Sequence, residues 1–125
     1  MGLTLDTGAL IALERNDART ARFLRAAQRE GREVTVPAPV LTQFWRGGWV
    51  SVELRDVLAH VWIEPTTAPL ARRAGELLGR TGMSDAVDAI VACGAAERGD
   101  AVLTSDPEDL QRLADYLGAL RIVGV

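Results

Sequence analysis

Lysine is missing altogether from this chain of 125 residues, and all 14 of its basic side chains are arginine. Set against 17 acidic residues they leave a net charge of −3, so composition carries no basic footprint of a nucleic-acid binder. Genome base composition accounts for the arginine bias as well as phosphate contact does, although arginine's planar fork suits bidentate contact with phosphate. The single cysteine, Cys93, excludes an internal disulfide and fits a reducing compartment. The single histidine, His60, excludes a ribonuclease built on two histidines of one chain and leaves any Ser-His-Asp triad only one base. No apolar run approaches the roughly 18 residues of a membrane span. No basic segment followed by an apolar one opens the chain, which predicts no secretory leader and a cytoplasmic protein. No Gly-Lys-Ser/Thr phosphate loop and no G-x-G-x-x-G occurs, which argues against nucleotide cofactors.

What is present is a chain 48% hydrophobic and 25% charged, suited to a single domain over residues 1–125 with one core. Apolar runs at 2–5, 33–36, 61–64, after Gly99-Asp100, and at 121–125 read as strands. Between them, helices are predicted at 9–14, 18–30, 40–45, 52–60, 69–79, 85–98 and 107–117, several with Asp caps or glycine stops. Strands alternating with helices from end to end predict an α/β fold, with helices on both faces of a mostly parallel sheet.

The stretch SDAVDAIVACGAAERGDAVLTSDPED, residues 84–109, organises the chemistry. Asp88 falls in the first turn of its helix and Asp106 just past the next strand, while Asp6 ends the first strand in LTLD. In open α/β sheets, ligands bind beyond the carboxyl ends of the strands. Carboxylates gathered there repel unless a cation neutralises them, and Mg²⁺ or Mn²⁺ suits such oxygen donors. A metal at that edge activates water for hydrolysis of a phosphate ester. The structural reading accounts for the same residues: Asp is a favoured helix N-cap, each of these aspartates opens a helix or its first turn, and Asp106-Pro107 is a strong start signal. Spacing alone leaves both readings open.

LDTGALIALE, VPAPVLTQFWRGG, DAIVACGA and AVLTSDPEDL together resemble the PIN domain family. Its compact form in the VapC-type toxins of toxin–antitoxin pairs is most similar, over nearly the whole chain. The resemblance implies a PIN-like three-layer α/β/α domain and a Mg²⁺- or Mn²⁺-dependent endoribonuclease that hydrolyses RNA phosphodiesters. It also implies a homodimer and a small VapB-like antitoxin that covers the acidic cleft. Carried over residue by residue, Asp6, Asp88 and Asp106 match the acidic ligands. Asp85 and Asp109 match as auxiliary acids, and Thr104 and Ser105 as groups that orient ligands or water. One position departs: the family usually has glutamate in the central helix, where this chain has Gln43. An amide oxygen can coordinate, but it brings no charge and cannot act as a base. An active variant, a silent copy and a Glu→Gln change all remain open, and Glu14 is the candidate for supplying the missing charge. The competing function is a catalytically silent PIN domain that binds RNA or protein.

Other candidates have structural readings. His60 is expected in a structural or surface role and Cys93 as a small buried residue. LDTGAL also resembles the nucleophile loop of haloacid-dehalogenase-like phosphatases, but Gly8 stands where those have their second aspartate. Arg15, Arg19, Arg22 and Arg29 recur at helical spacing as a solvated face or an RNA track. Arg46 either leans over the cleft or joins a surface ion pair. Trp45 and Trp49 are expected in core or interface, or as a base-stacking platform.

Overall fold

The computed structural model describes residues 1–47 and 50–125. Gly48, and Trp49 with its anticipated place in core, interface or base stacking, lie outside the described residues. Five strands are all parallel, in the order β3-β2-β1-β4-β5. They are β1 (Leu3–Leu5), β2 (Val34–Pro37), β3 (Trp62–Glu64), β4 (Ala101–Thr104) and β5 (Arg121–Gly124). Seven helices among the described residues join them: α1 (Thr7–Glu14), α2 (Ala18–Arg29), α3 (Ala38–Phe44), α4 (Val52–Ala59), α5 (Ala68–Thr81), α6 (Ala86–Arg98) and α7 (Pro107–Ala114). None is long and apolar enough to cross a membrane.

Local chemistry sets the helix starts. Asp17, Ser51, Thr67 and Asp85 each accept the amide three residues on, capping α2, α4, α5 and α6. Pro39 falls in the first turn of α3, where a missing amide breaks no helical bond. Gly82, at φ 69°, ends α5 in the left-handed conformation.

The helices form two layers. α1 packs on α2, α3 and α4, while α5, α6 and α7 pack on one another and α6 spans β1, β2 and β4. β1 is therefore buried on both faces, with Leu5 fully enclosed among Leu10, Val36, Val91 and Leu103 of the shared core. The sheet is wholly parallel, where a mostly parallel one was expected. Chain order reverses direction between β1 and β4, whose carboxyl ends lie side by side through the register Leu5 to Leu103.

A polar network pins the far end of α6 to the sheet. Arg98 pairs with Glu64 and reaches Asp100 at 3.0 Å and the Thr4 hydroxyl at 2.8 Å. Asp100 also accepts the Thr4 hydroxyl and the Gly2 amide, each at 2.8 Å. Trp62 lies under the guanidinium at 5.8 Å. Glu64, Asp100 and Thr4 are buried. Such a cluster holds only while the cation stays, because an unpaired buried carboxylate is strongly unfavourable.

Candidate functional site

Asp6 leaves the end of β1 and turns the chain into α1. Its Oδ1 accepts the Ala9 amide at 2.9 Å, and the residue is buried. The cap is possible because Gly8 has no side chain: a Cβ there would fall on the Ser105 hydroxyl. That close approach locks the β1–α1 turn against the β4–α7 turn. Across it, the Thr104 hydroxyl accepts the Asp106 amide at 2.9 Å and donates to the Asp6 carboxylate. Burial raises the Asp6 pKa, the Thr104, Ala9 and Gly8 hydrogen bonds work against it, and the charge of Asp106 adds to it.

Asp106 opens α7 but makes no capping hydrogen bond with its side chain. The cap expected from Asp-Pro is absent, and the residue sits at φ −126° and ψ 70°, away from the extended conformation of the other capping residues. Its carboxylate is thus left to the cleft. Asp85 does cap α6, accepting the Asp88 amide at 3.0 Å. Asp88, half-buried one turn in, has no capping duty of its own. Burial, followed by the charges of Asp85, Asp6, Asp106 and Asp109, pushes its carboxyl up to about 7. The five acidic residues proposed from the sequence therefore share one electrostatic field. Among the described residues no three of them are already drawn into a geometry that holds a metal ion. Their donors are nonetheless all hard oxygens of one sign, the chemistry that suits a Mg²⁺-like cation.

Gln43 is at the rim. α3 packs on α1, and the Thr7 hydroxyl donates to Gln43 Oε1 at 2.6 Å. Thr7 was not anticipated as a partner; its only sequence signal is its place beside Asp6. Arg46 bonds back to the Gln43 carbonyl at 3.0 Å and forms no ion pair among the described residues. Glu14 does not join the cluster: it is exposed at the other end of α1, about 12 Å of helix from Asp6. Trp45 is 44% exposed, so it is not a core residue. Ser105 packs against Gly8.

Cys93 is buried, and burial above all pushes its thiol pKa up, which makes it inert. The His60 ring contacts the Asp56 carbonyl at 2.8 Å through Nδ1. A carbonyl only accepts, so Nδ1 carries the proton and the ring serves the end of α4. The arginines of α2 stand exposed, with Arg19 over the Phe23 ring at 5.9 Å.

No curated protein matches this chain. Its fold is similar to VapBC2 from Rickettsia felis, solved bound to a DNA fragment from its promoter, at TM-score 0.75 and 17% identity, covering 100% of this chain and 99% of that one. It is similar to a toxin–antitoxin complex from Klebsiella pneumoniae at TM-score 0.73 and 17% identity, covering 98% and 96%. VapBC-1 from nontypeable Haemophilus influenzae gives TM-score 0.68 and 17% identity, covering 99% and 98%. Identities this low establish shared architecture only. The PIN domain family model matches residues 3–116, nearly the whole chain with every acidic residue of the cleft, and the chain therefore belongs to the PIN domain family.

Proposed function

We propose that this protein is a VapC-like toxin, an endoribonuclease dependent on Mg²⁺ or Mn²⁺ that hydrolyses RNA phosphodiesters. It would act as a homodimer and be neutralised by a separate VapB-like antitoxin. The carrying observation is the crowding of Asp6, Asp85, Asp106 and Asp109 around Asp88 at the switch point of the sheet. Family membership supports hydrolysis of nucleic acid, and three structural neighbours are toxin–antitoxin assemblies.

Asp6, Asp88 and Asp106 are the residues that would hold the cation, with Asp85 beside them and Gln43 contributing an uncharged oxygen. When bound, the cation supplies the positive charge that polarises the phosphodiester and activates water. The protein's own part is positional. The Ala9 amide and Thr104 hydroxyl fix one face of the Asp6 carboxylate and leave its remaining lone pairs for the cleft. Asp88, whose carboxyl is pushed up to about 7, would release its proton on taking up the cation.

The second reading, a silent PIN domain that binds RNA or protein, is favoured by Gln43, whose Oε1 is already engaged by Thr7. One experiment separates the two: RNA cleavage by the purified chain with Mn²⁺, with EDTA, and as Asp88→Asn. Cleavage that needs the cation and vanishes in the variant supports the nuclease. Silence of the native chain, with recovery in Gln43→Glu, supports the silent copy. Light scattering that shows only monomer removes the dimer.

A further inference from the structure

A groove of about 520 Å³ runs between α1 and the turn joining β4 to α7. Its lining comes from three strand ends: Gly8 follows β1, Ser105 follows β4, and Val125 follows β5. The groove therefore opens on the carboxyl edge of the sheet, on the β5 side of the switch point. Gly8 and Ser105 flank the acidic cluster, since each lies within two residues of Asp6 or Asp106. On the opposite side the Thr7–Gln43 hydrogen bond and α3 close the edge. None of the cluster's acidic residues lines the groove, but Gly8 and Ser105 join it to the two turns that carry Asp6 and Asp106.

The chemistry of the lining fits a nucleotide. Ile11, 37% exposed, forms an apolar floor with Ala12 and Val125. Arg15 is one turn further on the same face of α1, exposed and without an ion pair among the described residues. Asp17 also borders the groove, but its carboxylate is held by the Thr20 amide and hydroxyl at 2.8 and 2.6 Å. It caps α2 and does not pair with Arg15. An apolar shelf with one free guanidinium, beside carboxylates that would hold a cation for a phosphodiester, is complementary to a base and its phosphate.

We propose that this groove seats the nucleotide adjoining the scissile phosphodiester, its base on Ile11, Ala12 and Val125 and its phosphate on Arg15. The assignment rests on the ribonuclease reading above. It is tested with a labelled single-stranded RNA oligonucleotide of random sequence. Affinity is read by anisotropy in the Asp88→Asn background, and KM and kcat in the otherwise native chain. Arg15→Gln should weaken binding about tenfold and flatten the salt dependence by about 0.7 in slope, the share of one phosphate contact. KM should rise with kcat retained. Ala12→Glu should weaken binding in the same direction, while Arg121→Gln, exposed at the amino end of β5 on the opposite edge of the sheet, should change nothing. If both groove variants bind as the Arg121→Gln control does while the native chain cleaves RNA, the groove assignment fails and the nuclease reading stands. If the native chain neither cleaves nor binds the RNA, both fall.

Discussion

Replacing Asp88 with asparagine should stabilise the metal-free protein at pH 8, although it removes a proposed ligand. The folded carboxyl titrates at about 7, against 3.8 for the ordinary group, because of burial first and then four neighbouring carboxylates. Between those values the folded chain keeps a proton that the unfolded chain has released. Raising the pH through this window therefore costs folding free energy, and the cost is complete above about 7. At about 1.36 kcal/mol per pH unit the ceiling is roughly 4 kcal/mol, but the carboxyl is only half-buried and solvent screening leaves about 1–2 kcal/mol. An asparagine side chain has no charge to crowd, so the Asp88→Asn variant escapes that cost. For 125 residues the difference corresponds to a rise in Tm of about 4–8 °C at pH 8, shrinking toward zero near pH 4.

Thermal unfolding followed by circular dichroism in EDTA, across that pH range, measures the effect directly. Adding Mn²⁺ should reverse the order at pH 8, since the cation stabilises the native chain and has lost a ligand in the variant. A gap between native and variant that stays flat with pH would refute the crowding. So would an Asp88→Asn chain that is less stable at pH 8 without metal.

Gln43→Glu should tighten Mn²⁺ binding about tenfold by calorimetry, since a carboxylate adds charge and still accepts the Thr7 hydroxyl; no change would place residue 43 outside the site. Gly8→Ala should lower stability by about 1–3 kcal/mol in urea titration because its Cβ meets the Ser105 hydroxyl, and Ser105→Gly should restore much of the loss. Arg98→Met should cost about 3–5 kcal/mol by leaving Glu64 and Asp100 buried without their cation, with urea midpoints as the check. Asp106→Ala should leave stability within about 0.5 kcal/mol yet abolish Mn²⁺ binding, whereas Asp85→Ala should lose about 1 kcal/mol of capping.

The strands and helices were legible because each apolar run is short and bounded by Asp, Gly or Pro. The boundaries that moved have physical reasons. α1 begins at Thr7 rather than residue 9, because the Asp6 cap already makes Thr7 and Gly8 helical. α5 continues to Thr81 through Gly75 and Gly79, which face open space, and stops only where Gly82 turns left-handed. α7 ends at Ala114, three residues short of the expected 117. The acidic residues were legible because Asp6 and Asp106 follow strand ends while Asp85, Asp88 and Asp109 fall where helices open. The Thr7–Gln43 bond spans 36 positions and the Gly8–Ser105 approach nearly a hundred, so no local pattern announces either. The Arg98 network was missed for the same reason, since Thr4, Glu64 and Asp100 meet only once the parallel register is set.

Helix capping and cation binding first look like rival accounts of the same aspartates, and the geometry divides the work between them. Asp6 and Asp85 cap, and capping orients them: one oxygen of Asp6 is fixed by the Ala9 amide, which leaves the carboxylate presented at the edge of the sheet. Asp88 and Asp106 cap nothing, although each sits where a helix begins. A purely structural cluster would not crowd Asp88 with four like charges or leave Asp106 without a side-chain cap bond among the described residues, because both choices reduce stability. Two capping carboxylates set the frame and two uncapped ones carry the unfavourable charge that a cation would relieve. The division also explains why an amide at position 43 leaves the fold intact. Its hydrogen bond to Thr7 needs only an oxygen, so the charge that glutamate would bring bears on cation affinity rather than on folding.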